Sequence, residues 1–211
     1  MSLIDRLGGL AGIGAATYFL FLPVPTQEVE VGLGEPSAQV AEALAANAES
    51  ERLGSYLGLI AVFLLVMFFA RWYGALRDAA PRSWLPVMTL AGGVLLAGVL
   101  LVEIGMTFAG AEIGRLGEET EVVNFFALWG YQSANLFAPP FAIALASSTM
   151  AVFSAAGSPT WYRWASAGLL VLLLLIVGVL RAPGLAIAPG TLWMFLTSIV
   201  LTRGTIGEVA T

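Results

Sequence analysis

The sequence predicts an all-α fold, a polytopic bundle of six membrane-spanning helices, and three observations predict it. Runs of about 17 or more apolar residues fill most of the 211 positions, and a helix crosses a hydrocarbon core of about 30 Å with about 20 such residues. Apart from Glu103 and Arg71, charge is confined to the gaps between the runs. Composition agrees, with 59% hydrophobic and 11% charged residues and a mean hydropathy of +0.89, far from the averages of soluble domains.

The first helix is expected over 7–22. It follows Asp5-Arg6 and stops before Pro23 and Pro25, because proline cannot continue a helix. A basic residue before an apolar run also suits a signal peptide. Asp5 beside Arg6, and the lack of a small-residue cleavage site after Leu22, favour an uncleaved span. The connection over 24–53 is the longest. Its front, Val24 to Val31, alternates polar and apolar residues and reads as extended. Ser37 then caps an Ala-rich short helix over 37–50 that leads toward the second span, since serine oxygens satisfy free amides at helix starts.

The second span is expected over 54–76 and the third over 84–108, behind Pro81-Arg82-Ser83-Trp84. The fourth covers 122–155, where Pro139-Pro140 predicts a kink through lost backbone hydrogen bonds. The fifth and sixth cover 163–180 and 185–202. No linker or soluble module divides the chain, so 1–211 reads as one membrane domain.

Loop charges give direction, because cytoplasmic loops carry the excess of arginine and lysine. One side holds Arg6, Arg71, Arg77, Arg82, Arg163 and Arg203 against Asp5, Asp78 and Glu208. The other holds Arg52, Arg115 and Arg181 against ten glutamates of the two long loops. Both termini are therefore expected in the cytoplasm. Trp72, Tyr73, Trp84, Trp161, Tyr162 and Trp164 fall at the same inner boundary, where amphipathic rings anchor at headgroup level.

The absent residue types exclude much chemistry. The chain has no His, Cys or Lys. The usual ligands of zinc, copper, iron–sulfur clusters and haem are missing. So are thiolate nucleophiles, Schiff-base lysines and histidine bases. No cofactor and no metal are expected. The carboxylates at Glu112, Glu118, Glu119 and Glu121 match no calcium loop, and a pI near 4.7 argues against nucleic acid.

Three features from Ala38 onward carry a resemblance. They are the Ala-rich helix ending at Asn47 and followed by Arg52-Leu53-Gly54, the Arg-bearing turn after the second span, and Pro159-Thr160-Trp161. With them the chain resembles an uncharacterised family of small bacterial, actinobacterial-type membrane proteins carrying a domain of unknown function. The resemblance implies six helices and a bacterial plasma membrane. It implies no activity and no catalytic residue.

One constellation stands out. Glu103 is an ionisable group inside a span, where such groups cost about 2.5–3.5 kcal/mol on insertion scales and mark function by default. Thr107 is one turn further along the same face. In the fourth span, Asn124, Gln132 and Asn135 cluster on one side, with Trp129, Tyr131 and Ser133 nearby. The expected site is a polar pocket in the outer half of the bundle, formed by Glu103, Thr107, Trp129, Tyr131, Gln132 and Asn135. It would take a lipid headgroup, a small polar ligand or a proton. The competing reading is interhelical glue, worth about 0.6 kcal/mol per contact.

Gly8, Gly12 and Ala16 form a small-residue stripe on the first helix, suited to close packing within the chain or against a partner helix. Gly92, Gly93 and Gly98 on the third helix are the matching surface within the chain.

Function follows by elimination. The sequence favours a non-enzymatic component of the plasma membrane that binds a lipid or small molecule or accompanies a larger complex. A proton or solute transporter using Glu103 is the alternative. An enzyme acting on a lipid, with Glu103 as acid or base, is the weaker one.

Overall fold

The computed structural model describes residues 3–21, 37–116, 133–155 and 157–203, together with Val122, Phe125 and Trp129. Among them all regular structure is helical. The elements are α1 (Leu3–Phe21), α2 (Ser37–Ala79), α3 (Leu85–Leu116), α4 (Ala138–Ser154), α5 (Thr160–Gly178) and α6 (Ile187–Arg203). Short 3-10 turns, Ala134–Phe137 and Pro183–Ala186, lead into α4 and α6.

Five stretches are long and apolar enough to cross a membrane: Ala48–Ala79, Leu85–Ile113, Ala134–Ser154, Thr160–Gly178 and Pro183–Arg203. In α1 the charges of Asp5 and Arg6 and four glycines dilute the apolar character of 19 residues. Large apolar side chains cover the outside of the bundle, including Ile60, Phe63, Val94, Val102, Leu172 and Leu174. Serine and threonine lie within it, at Thr89, Ser148, Ser166, Thr191 and Thr197. Apolar-out with small polar groups inside is the arrangement a bilayer favours.

Two boundaries differ from the sequence reading for local reasons. The expected short helix over 37–50 is continuous with the second span, giving a single helix of 43 residues. No proline interrupts this stretch and its first glycine is Gly54, and alanine is the strongest helix former. Pro139 and Pro140 occupy the first turn of α4 after the 3-10 turn. There a missing amide hydrogen costs no α-helical bond, and the 3-10 turn just before the pair is where the helical ladder changes pitch.

The small residues of α1 pack inside the chain. A Cβ at Gly8 would meet Arg71 Cβ and Cγ of α2, and one at Gly9 would meet Thr202 of α6. Gly12 faces both Phe68 and Ser198, and Ala16 is fully buried. Residues 8, 12 and 14 thus meet Arg71, Phe68 and Leu64 in turn, while Tyr18 reaches Gly54. α1 runs antiparallel along α2, over about 15 Å of its own rise between Gly8 and Tyr18. The glycines of α3 serve other neighbours. Gly92 lies against the backbone of Ala144 in α4 and Gly93 against the ring of Phe69 in α2, while Gly98 faces open space.

The aromatic boundary divides into two groups. Trp84, Trp161 and Trp164 are exposed, as interfacial anchors should be. Trp72 and Tyr162, expected at the surface, are fully buried. Trp72 Nε1 donates to Ser148 Oγ at 2.9 Å, and the Tyr162 hydroxyl lies 2.6 Å from Thr197 Oγ1. The two rings meet edge to face at 5.9 Å. Their polar atoms have partners inside, which permits burial without a stranded donor.

The contacts also sort charge by end. Arg6, Arg71, Arg77, Arg82, Arg163 and Arg203 collect where α1 and α3 begin and α2 and α6 finish. Glu49, Glu51 and Glu112 lie at the opposite, acidic end.

Candidate functional site

Glu103 sits on α3 nine residues before Glu112, and Glu112 Oε1 lies 3.6 Å from Arg52 Nε of α2. Arg52 also stands over the Phe108 ring at 6.0 Å. This half-exposed pair marks the mouth of the acidic end. At 1.5 Å per residue, Glu103 lies about 13 Å deeper along the helix. α3 continues to Leu116, so the carboxyl is further from the helix end than a span ending at 108 implied.

Both carboxyl oxygens of Glu103 have a donor. Trp129 Nε1 donates to Oε2 at 3.0 Å and Ser133 Oγ donates to Oε1 at 3.0 Å. Trp129 and Ser133 are both helical and four residues apart, so they share a face one turn apart. Hydrogen bonds aimed at a carboxyl group in apolar surroundings fix its orientation.

Three further groups come from α1 and α2. The Tyr18 hydroxyl donates to Gly54 O at 3.4 Å. It lies against Gly58 beside Ile104, the residue next to Glu103, so that a Cβ at Gly58 would meet both side chains. Glycine is needed at that close approach. Tyr18 is within electrostatic reach of both Glu103 and Glu51, and the two glutamates are within reach of each other. Ser55, one turn below Glu51 on the buried face of α2, is 5% exposed. Among the described residues its hydroxyl has no hydrogen-bond partner.

The site is therefore a polar ladder descending from the acidic end. Glu51 stands nearest the acidic end, Ser55 one turn further in, and the Tyr18 hydroxyl beside Ile104 at the level of Glu103. Glu51, Tyr18, Trp129, Glu103 and Thr107 are each half-buried. Beyond Glu103 the interior closes, with Leu96, Leu100, Phe137 and Phe141 at 5% exposure or less and Phe19 edge to face on both phenylalanines at 5.7 Å.

The structure brings Trp129 onto Glu103 as the sequence suggested and keeps Thr107 one turn away. Asn135 belongs to the 3-10 turn, where a Cβ on Gly184 would lie 3.5 Å from its Oδ1. Tyr131, Gln132 and Asn124 lie outside the described residues. The residues sequence reasoning missed are Tyr18, Glu51 and Ser55, while Ser133, seen only as a neighbouring hydroxyl, is the one that meets Glu103. The i, i+4 spacing of Trp129 with Ser133, and of Glu51 with Ser55, was the available signal. Among the described residues no group of acidic side chains is arranged to hold a metal ion.

No protein family, curated protein or solved structure matches this chain.

Proposed function

We propose that the protein is a non-enzymatic multi-pass component of a bacterial plasma membrane, and that it binds the polar group of a lipid or small molecule at Glu103. The observation that carries this reading is the pair of hydrogen bonds from Trp129 and Ser133, which hold a carboxyl group within an apolar helix. An intramembrane acid with fixed orientation and no cation among the described residues is a receptor for something brought from outside.

Binding is favoured over passage because the interior beyond Glu103 is closed by the buried core around Leu96 and Leu100. Proton or solute movement through Glu103 is the second reading, and the graded depth of Glu51, Ser55 and Glu103 is what favours it. Catalysis on a lipid has less support. The chain has no His, Cys or Lys to work beside the carboxyl.

The proposed topology has six spans with both termini cytoplasmic. α1 lies along α2 over the depth from Arg71 to Gly54, which supports counting it as a span. Six arginines at one end support placing that end inside.

Native mass spectrometry of protein extracted gently from its own membrane tests the binding reading. A discrete ligand on the wild type that is missing from Glu103→Gln is the expected result. Identical spectra for a folded Glu103→Gln and the wild type would contradict it.

A further inference from the structure

We infer that α3–α4 and α5–α6 are two copies of one helical hairpin, and that residues 104–133, present only in the first copy, are the module that builds the ligand site. The second statement rests on the reading that Glu103 anchors a ligand, and the first does not.

The second helices of the two hairpins match most closely. α4 and α6 each have 17 residues, each follows a four-residue 3-10 turn, and each has proline at its third position, Pro140 and Pro189. Aligned by these ends, buried Ala144, Ser148 and Val152 coincide with buried Trp193, Thr197 and Leu201, and exposed Leu136 coincides with exposed Leu185. The first helices match when aligned by their exposed anchors, Trp84 and Trp161. Buried Leu85, Thr89 and Leu96 then coincide with buried Tyr162, Ser166 and Leu173, and exposed Val94 with exposed Val171. Helical period alone repeats a burial pattern along any packed helix. It does not set equal lengths, a 3-10 lead or the place of a proline.

Contacts follow the same correspondence. A Cβ on Gly184 would lie 3.3 Å from that of Ala134, so the two 3-10 turns meet. Ser148 accepts from Trp72, its counterpart Thr197 pairs with Tyr162, and those two rings meet edge to face. α3 and α5 both leave the basic end, whereas α4 and α6 both leave the acidic end. The copies therefore run parallel, as repeats related about the membrane normal do.

The copies part at Glu103, whose counterpart is Leu180. In the second copy Arg181 and Ala182 alone join Leu180 to the 3-10 turn. Arg181 takes φ 53° there, and the amides of Leu180 and Ala182 close the helix end on Leu175 O and Ile176 O. In the first copy residues 104–133 fill that place. Ile104 lies against Gly58, Phe108 meets the Tyr56 ring at 6.5 Å and Glu112 meets Arg52. Trp129 and Ser133, the two donors to Glu103, belong to the same segment. The second copy closes its hairpin without such a segment, and chain added between elements of a rigid scaffold is where binding residues concentrate.

One experiment with two arms tests both statements. In the first arm residues 104–133 are replaced by Arg-Ala, the connection of the second copy, and Glu103 is kept. In nanodiscs of phosphatidylethanolamine and phosphatidylglycerol the shortened chain should still unfold cooperatively, and native mass spectrometry should show loss of the lipid that the wild type retains. In the second arm spin labels are placed on this naturally Cys-free chain. Electron–electron double resonance then compares the pair Val94→Cys and Leu136→Cys with its counterpart, Val171→Cys and Leu185→Cys. The two distance distributions should coincide.

Distances that differ by more than their widths overturn the duplication. A shortened chain that does not fold overturns the independence of the hairpin from the segment. A shortened chain that folds and keeps the lipid, when Glu103→Gln loses it, overturns the module and leaves a site at Glu103. Coincident distances and a folded shortened chain, with no lipid that Glu103→Gln loses, keep the duplication and overturn the module together with the Glu103 reading.

Discussion

The indole of Trp129 donates to Glu103 Oε2 across 3.0 Å, joining residues 26 positions apart. Ser133 completes the clamp on the other oxygen. Together they fix the orientation of a lone acid in an apolar helix.

Trp129→Phe keeps the ring and removes the donor. We expect a loss of about 1 kcal/mol in stability, within the usual range for one hydrogen bond, and weaker ligand retention. A double-mutant cycle with Glu103→Gln checks the contact, because the two effects should be strongly non-additive. Simple additivity would detach Trp129 from the carboxyl.

The glycines of α3 should respond in opposite ways. A Cβ at Gly92 would come within 2.7 Å of the Ala144 backbone nitrogen, which cannot rotate aside. Gly92→Ala should destabilise by about 1–3 kcal/mol through overpacking. Gly98→Ala meets nothing within 4 Å and should be neutral or stabilising by up to about 1 kcal/mol. Thermal denaturation in one detergent compares them directly.

Tyr162→Phe removes the hydroxyl that pairs with Thr197 at 2.6 Å while leaving the ring beside Trp72. The expected loss is about 1 kcal/mol. Ligand binding at Glu103 should be unchanged, because Tyr162 meets Thr197 and Trp72 in the basic half of the bundle. A coupled loss of binding would join the two polar regions.

Glu112→Gln breaks the ion pair with Arg52. Both side chains are partly exposed, at 42% for Arg52 and 29% for Glu112, so the stability change should stay below about 1 kcal/mol. A larger loss would mean that the pair is dry in the membrane.

The chain contains no cysteine, so single cysteines report topology cleanly. Glu49→Cys should react with impermeant reagent added outside intact cells. Ser83→Cys, in the turn between α2 and α3, should react only after permeabilisation. The reverse pattern would invert the orientation.

Hydropathy made the membrane class and the five long spans legible, because length and apolar content decide them. Glu103 was legible for the same reason: a charge in a run of leucine and valine cannot be overlooked. Facing was much less so. In a bilayer both the buried and the lipid-facing sides of a helix are apolar, so periodicity could not show that Trp72 and Tyr162 turn inward while Trp84 and Trp164 turn out. Ser133 was named only as a neighbouring hydroxyl, because amides are the more conspicuous polar groups. Tyr18 and Ser55 joined the site only through the antiparallel contact of α1 with α2, which no local pattern encodes.

The most direct test of the central claim is a crystal structure grown in lipidic mesophase from protein that has never been stripped of its native lipids. We predict density from a molecule outside the chain within hydrogen-bonding distance of the Glu103 carboxyl. A carboxyl enclosed only by side chains of this protein, with no room for another group, would contradict the account and leave Glu103 as interhelical glue.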